Sequence, residues 1–199
     1  LYLDYFRNTK VLSAFSLVST VVSLAIAGVT VPLSKRFGKK EVSAAATCFS
    51  GVAYLILYFM HITSAWLYMI LSVIGFLGVN LFNMVIWANI TDVIDDHEVR
   101  TGSRDDGTVY SVYSFARKIG QALAGGLGGA ALQAIGYDEL ATVQNARVVE
   151  GIYATVNLIP AVCFLGVAAI LAFAYPLSRK KVEENAAILK KKREMEQRS

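Results

Sequence analysis

Charge is what this chain has least of. Only 17% of its 199 residues are Asp, Glu, Lys or Arg, against about 25% in an ordinary soluble domain. The shortage is local. No charged residue occurs from Val11 to Ser34, from Val42 to Thr91 or from Gly151 to Ser178. A bilayer core takes about 20 mostly apolar residues in one helix, and each of these runs is longer than that. A soluble globular domain and a nucleic-acid binder are thereby excluded. Cysteine is nearly as scarce: Cys48 and Cys163 both sit inside apolar runs, which fits neither a secreted disulfide scaffold nor a thiolate metal site. The chain also lacks H-E-x-x-H spacing, a Gly-rich phosphate loop and a nucleophile–base pair, so it is not expected to be an enzyme or to need a metal or cofactor. No basic start followed by an apolar block opens it. Leu1–Phe6 reads instead as the tail of a helix begun upstream, and the chain as a fragment. The class is an all-α membrane protein with several spans.

Span one runs over about 11–33 and is closed by Pro32 and the basic loop 35–40. The 50 residues from Val42 to Thr91 are too many for one crossing. His61-Ile-Thr-Ser64 divides them into spans near 42–60 and 65–92. Span four covers 107–136, and span five 148–175, with Pro160 free to kink it because neighbouring helices re-satisfy a freed carbonyl. Residues 1–178 are thus a transmembrane bundle and 179–199 a basic tail, read as a solvated helix. The 35–40 loop, the 97–107 loop and the tail together hold 14 of the 19 Lys and Arg residues. Basic residues concentrate on the cytoplasmic side, which predicts a cytoplasmic C-terminus.

Span four holds polar groups that lipid disfavours. Lys118 lies 11 residues beyond Gly107, about 16 Å into a core of about 30 Å. A cation at that depth costs about 2.5–3.5 kcal/mol or more unless it faces protein or water. Lys118 shares a stripe with Ser111, Ser114 and Gln121, while Arg117 lines up with Tyr110, Tyr113 and Ser114. Neighbours point about 100° apart, so the residues leave open which of Arg117 and Lys118 faces a cavity, and structural cations paired with carboxylates elsewhere are the other reading. Gly125 and Gly129 form a G-x-x-x-G pair that suits close helix packing. In span three, Asn80, Asn83 and Trp87 fall on one stripe; amides flanking a Trp can bond and stack on a sugar, or can tie helices together.

The end of span three runs against the helix dipole. Asp92, Asp95, Asp96 and Glu98 crowd a C-terminus that is already negative. Arg100 and Arg104 follow at once. Acids repeating on one helix face beside loop arginines suit an ion-pair network that can be made and broken, which is a gate.

The string Asp92-x-x-Asp95-x-x-Glu98-x-x-x-Gly102-x-Arg104-x-x-Gly107, then Tyr110-Ser111, Arg117-Lys118-x-Gly120 and Gly136-Tyr137, resembles the glycoside–pentoside–hexuronide:cation symporters, the melibiose-permease group of the major facilitator superfamily. The resemblance implies a major facilitator-type helical bundle, with five complete spans here similar to helices 8–12 of twelve, and transport by rocking one six-helix half against the other. It implies a bacterial inner-membrane symporter of a sugar or glycoside. Substrate-binding candidates are Lys118, Asn83, Trp87, Gln121, Arg117, Asn80 and Ser114. A cytoplasmic gate is expected at Asp92, Asp95, Glu98, Arg104 and Arg100. The coupling cation, Na⁺ or H⁺, is expected to bind in the missing N-terminal half. Melibiose permeases have a Trp where Asn83 stands here, and Trp87 comes one turn later, which favours another glycoside over melibiose. Two alternatives remain at this stage: a lysolipid transporter of the same fold, and a membrane assembly or receptor subunit that transports nothing.

Overall fold

The computed structural model describes residues 1–197, so the tail residues Arg198 and Ser199 lie outside the described residues. The described chain forms six α-helices and no strand: α1 (Thr9–Phe37), α2 (Lys39–Met60), α3 (Ala65–Thr101), α4 (Asp106–Ala134), α5 (Ala146–Ala169), extended by a π turn over Ile170–Ala174, and α6 (Arg179–Glu196). Local chemistry sets most boundaries. Asn8, Ser64, Asp105 and Asn145 each cap a helix start, their side-chain oxygens accepting from the amide three residues on. Gly38, Gly102 and Gly136 take positive φ at helix ends. After α4, Tyr137 N–H bonds Leu132 O and Gly136 N–H bonds Gln133 O, both at 3.0 Å, the paired bonds of a Schellman stop.

Two expectations on boundaries need correction. Pro32 does not close the first helix; it lies inside α1, which runs on to Phe37. The residue four positions earlier is Gly28, whose Cβ position is open space, and the actual stop is Gly38 at φ 96°. The third helix continues nine residues past Asp92, so the gate acids sit on helix as expected, and Arg100, expected in the adjoining loop, sits on it too.

Four helices, α1, α2, α3 and α5 with its π turn, are long and apolar enough to cross a membrane. The fifth expected span, α4, is 29 residues long but carries Arg117, Lys118, Gln121 and several hydroxyls, which lower its hydropathy. At the centre α2 packs along α3 and α5, and α1 lies against α3. Close approach is set by glycines outside the G-x-x-x-G pair. A Cβ on Gly78 would stand 2.2 Å from the carbonyl oxygen of Ala46 and 2.3 Å from Ser50 Oγ, and one on Gly51 would strike Leu165. Backbone cannot retreat as a side chain can. Gly78→Ala is therefore expected to cost about 1–3 kcal/mol, the overpacking range, read as a drop in thermal unfolding temperature; Gly125→Ala, which meets nothing, should leave that temperature unchanged.

One end of the bundle gathers Leu57, Ile62, Tyr68 and Tyr153, with Tyr2, Tyr5 and Phe6 packed on them. Tyr153 OH donates to Leu57 O at 2.6 Å and accepts from Ile62 N at 3.1 Å. Leu1–Phe6 is a single backbone turn, Tyr5 N bonding Leu1 O at 2.9 Å. The opposite end gathers the basic segments, which justifies grouping them: Arg179 Nη1 donates to Arg36 O at 2.7 Å, and Lys192 Nζ to Gly102 O at 3.0 Å. The tail is not a freely solvated helix. Asn185 and Leu189 of α6 are buried against the rest of this basic end.

Candidate functional site

Acids at the end of α3 are compensated one by one. Asp92, with a side chain only 6% exposed, accepts from Lys39 Nζ at 2.5 Å, and the same ammonium reaches Ala88 O at 3.3 Å. One and two turns on, Asp95 and Glu98 both accept from Arg104 Nη1, at 2.9 and 3.1 Å, while Arg104 Nε meets Asp106 at 3.1 Å. The hydrogen bonds to Asp95 and then Glu98 hold the Arg104 guanidinium protonated well above its ordinary range. Glu98 also draws Lys192 and Arg193 of α6, each at 3.7 Å. Asp96 turns to α6 as well, accepting from Asn185 Nδ2 at 2.9 Å. Asp105, whose Oδ1 caps α4 by accepting from Thr108 N at 3.0 Å, is held below the usual carboxylate range by the Thr108 hydrogen bonds.

The five expected gate residues are thus not one network. Acids three apart drift by about 60° per step around a helix, so Asp92 faces α2 while Glu98 faces the α3–α4 turn and α6. Arg100 joins neither group; it lies 3.6 Å from Asp96 on its own helix. The sequence reading missed Lys39, Lys192 and Arg193 as partners. The basic loops did announce cations, but not which acid each would find.

The second polar region lies where α3 and α4 meet. Asn80 is committed to structure: Ser23 Oγ of α1 donates to its Oδ1 at 2.8 Å, and its Nδ2 donates to Phe76 O at 3.1 Å. That is the helix-tying role rather than a free ligand contact. Asn83 is exposed and Trp87 half exposed. Trp87 stands edge-on to Tyr113 of α4, ring centroids 5.5 Å apart, so Tyr113 joins the group although it was absent from the expected site. Its stripe with Arg117 was the available signal. Ser114, Arg117, Lys118 and Gln121 are all exposed. Neither Arg117 nor Lys118 makes an ion pair among the described residues. No residue of α4 is buried, and Cβ positions on Gly120, Gly125, Gly126, Gly128 and Gly129 meet nothing within 4 Å. The close packing expected at G-x-x-x-G is not made in the described structure. The acidic cluster and this open polar helix adjoin through the α3–α4 turn, so Arg104 links the end of one to the start of the other.

A family model described as MFS/sugar transport protein matches residues 1–179. The chain belongs to this family. Among curated relatives of the family, the chain is 38% identical over 146 residues to an uncharacterized symporter, YjmB, of Bacillus subtilis, covering 73% of this chain and 31% of the relative. It is 31% identical over 181 residues to a putative sulfoquinovose importer of Escherichia coli, covering 90% and 38%. It is 29% identical over 200 residues to a glucuronide carrier protein homolog of Escherichia coli, covering 98% and 43%. The chain therefore spans less than half the length of these relatives. As a member of the family, with four helices long and apolar enough to cross a membrane, it is a multi-pass membrane protein.

The Arg104 cluster makes a prediction of its own. Arg104→Gln removes the one cation shared by Asp95, Glu98 and Asp106 and leaves Glu98 to the more distant Lys192 and Arg193 alone. If the cluster holds this end of α3 and α4 together, modification by a membrane-impermeant thiol reagent of a cysteine placed at Gln121, in the otherwise cysteine-free full-length protein, is expected to speed up by about tenfold, the effect of losing about 1.4 kcal/mol of that constraint. An unchanged rate would mean that the cluster only solvates a turn.

Proposed function

We propose that the chain is the C-terminal portion of a cation-coupled symporter that moves an acidic sugar or glycoside across the bacterial inner membrane by alternating access, with its basic end facing the cytoplasm. The observation that carries this reading is the pair Arg117 and Lys118. Both stand exposed on α4, without an ion-pair partner among the described residues, about half-way along the helix. Two cations at that depth are tolerable beside a water-filled passage, and they attract a negatively charged solute.

Two relatives are named for glucuronide and sulfoquinovose. These are anions, one a carboxylate and one a sulfonate. That agreement favours an acidic over a neutral cargo. In this reading Arg117 or Lys118 binds the acidic group, Trp87 and Tyr113 supply an apolar ring face, and Asn83, Gln121 and Ser114 bond hydroxyls. Asn80 holds α3 to α1 behind them. The Asp95–Glu98–Arg104 cluster lies wholly within this half; it fixes the ends of α3 and α4 to each other and so shapes the cytoplasmic surface that meets the other half when the two rock together. The coupling ion, Na⁺ or H⁺, binds in the N-terminal half.

Solute counterflow in proteoliposomes of the full-length transporter tests the proposal. Labelled glucuronide is expected to accumulate and a neutral methyl glycoside to fail as competitor. Equal competition by the neutral glycoside would reject the acidic cargo while keeping sugar transport. Absence of counterflow for every sugar tried, with intact protein, would reject transport itself.

A further inference from the structure

At the basic end a cleft of about 200 Å³ opens between the α1–α2 corner and α6. Its walls carry Lys35, Lys39, Lys40 and Arg179 against Asp92 and Glu183. Two of the cations are used. Lys39 pairs with Asp92, and Arg179 Nε lies 2.8 Å from Glu183 Oε1. The other two are not neutralised: Lys40 Nζ meets a backbone oxygen, that of Tyr175, at 2.6 Å, and Lys35 makes no ion pair among the described residues. Helix α2 begins in this wall with no side chain capping its first amides, which adds the positive end of its dipole. Ser34 Oγ is buried in the same wall without a hydrogen-bond partner. Glu41 is a further acid here: its carboxylate lies beside Gly38 and the residue lines the nearer end of an adjoining hollow, which leaves the Lys35 and Lys40 side of it for an anion.

Next to the cleft an apolar groove runs between α1 and α2–α3. Two hollows of about 280 and 300 Å³ share Leu33, Ala46 and Leu81. Together they extend along α1 from Phe37, the neighbour of Gly38, up to Ile26. At 1.5 Å per residue that is about 16 Å, enough for a dozen methylenes. Leu33 and Phe37 of the groove are the sequence neighbours of Ser34 and Gly38 of the cleft, so the two openings lie at the same end of α1, about a quarter turn apart around it. An inorganic anion would fill the cleft and leave the groove empty. A molecule with a phosphate at one end and a hydrocarbon chain at the other matches both.

We propose that this cleft and groove hold one anionic phospholipid, with its phosphate on Lys35, Lys40 and the first amides of α2 and an acyl chain along Leu33 and Ile26. The site lies apart from Arg117 and Lys118 and does not depend on which solute is carried. Native mass spectrometry of the full-length transporter, released from nanodiscs containing equal phosphatidylglycerol and phosphatidylcholine, tests it. One phosphatidylglycerol is expected to stay bound in preference to phosphatidylcholine by about 25-fold, two ammoniums near an anionic group counting about fivefold each. Lys35→Gln with Lys40→Gln is expected to abolish that preference. Leu33→Trp, which fills the groove and touches no charge, is expected to weaken retention of both lipids. Equal retention of the two lipids by the unaltered protein would overturn the proposal. So would displacement of the bound lipid by excess inorganic phosphate, or undiminished retention in a folded Leu33→Trp variant.

Discussion

Lys39→Met is expected to lower the unfolding free energy by about 3–5 kcal/mol, the cost of leaving a buried charge without its partner. Asp92 is the more buried member of the pair, its side chain 6% exposed against 31% for Lys39. The two single changes are therefore not equivalent. Asp92→Asn strands an ammonium on a flexible stem that can reach water, and should cost less than Lys39→Met. The double change Lys39→Met with Asp92→Leu removes both charges and should recover most of the loss, because apolar replacement of a whole buried pair is often neutral. Thermal unfolding in detergent measures all three. A Lys39→Met variant as stable as the unaltered chain would mean that water screens the pair and that Asp92 does not depend on Lys39.

That pair also marks where the sequence stopped being readable. The dipole argument found the acids, since four carboxylates at a helix C-terminus demand cations nearby. It could not choose the cations. Lys39 lies 53 residues from Asp92, and Lys192 and Arg193 lie more than ninety from Glu98; such partners are set by how whole helices pack. Helix existence was legible because charge-free runs of bilayer length leave few other forms. Helix ends were less so: Pro32 looked like a stop, and the chain simply carried on to a glycine at positive φ. The glycine motif misled for a related reason. G-x-x-x-G shows that a close approach is possible, but approaches that a Cβ would close are made at Gly51, Gly78 and Gly151 instead. Asn80 shows the same limit in the candidate site. A stripe of amides looks identical whether it binds a solute or a neighbouring helix, and only the 2.8 Å bond from Ser23 assigns it to the helix.

Lys118 separates a transport role from a structural one by the sign of two measurements. Removing a structural cation that is paired in the core destabilises a membrane protein, because its partner is left unpaired. Lys118 has no ion-pair partner among the described residues and is exposed, so beside a water-filled passage Lys118→Ala strands no buried partner. Its unfolding temperature is expected to hold. Uptake is expected to fall by about tenfold to a hundredfold at limiting solute, since a charge-assisted hydrogen bond to an anion is worth about 1.5–3 kcal/mol. Lys118→Arg keeps the charge and should recover part of the uptake, though not all, because a planar fork replaces a point charge. Arg117→Ala supplies the internal comparison: it points about 100° away, so the larger of the two losses identifies which cation faces the solute. Normal uptake in both single variants and in the double variant would remove the physical basis for a solute site on α4.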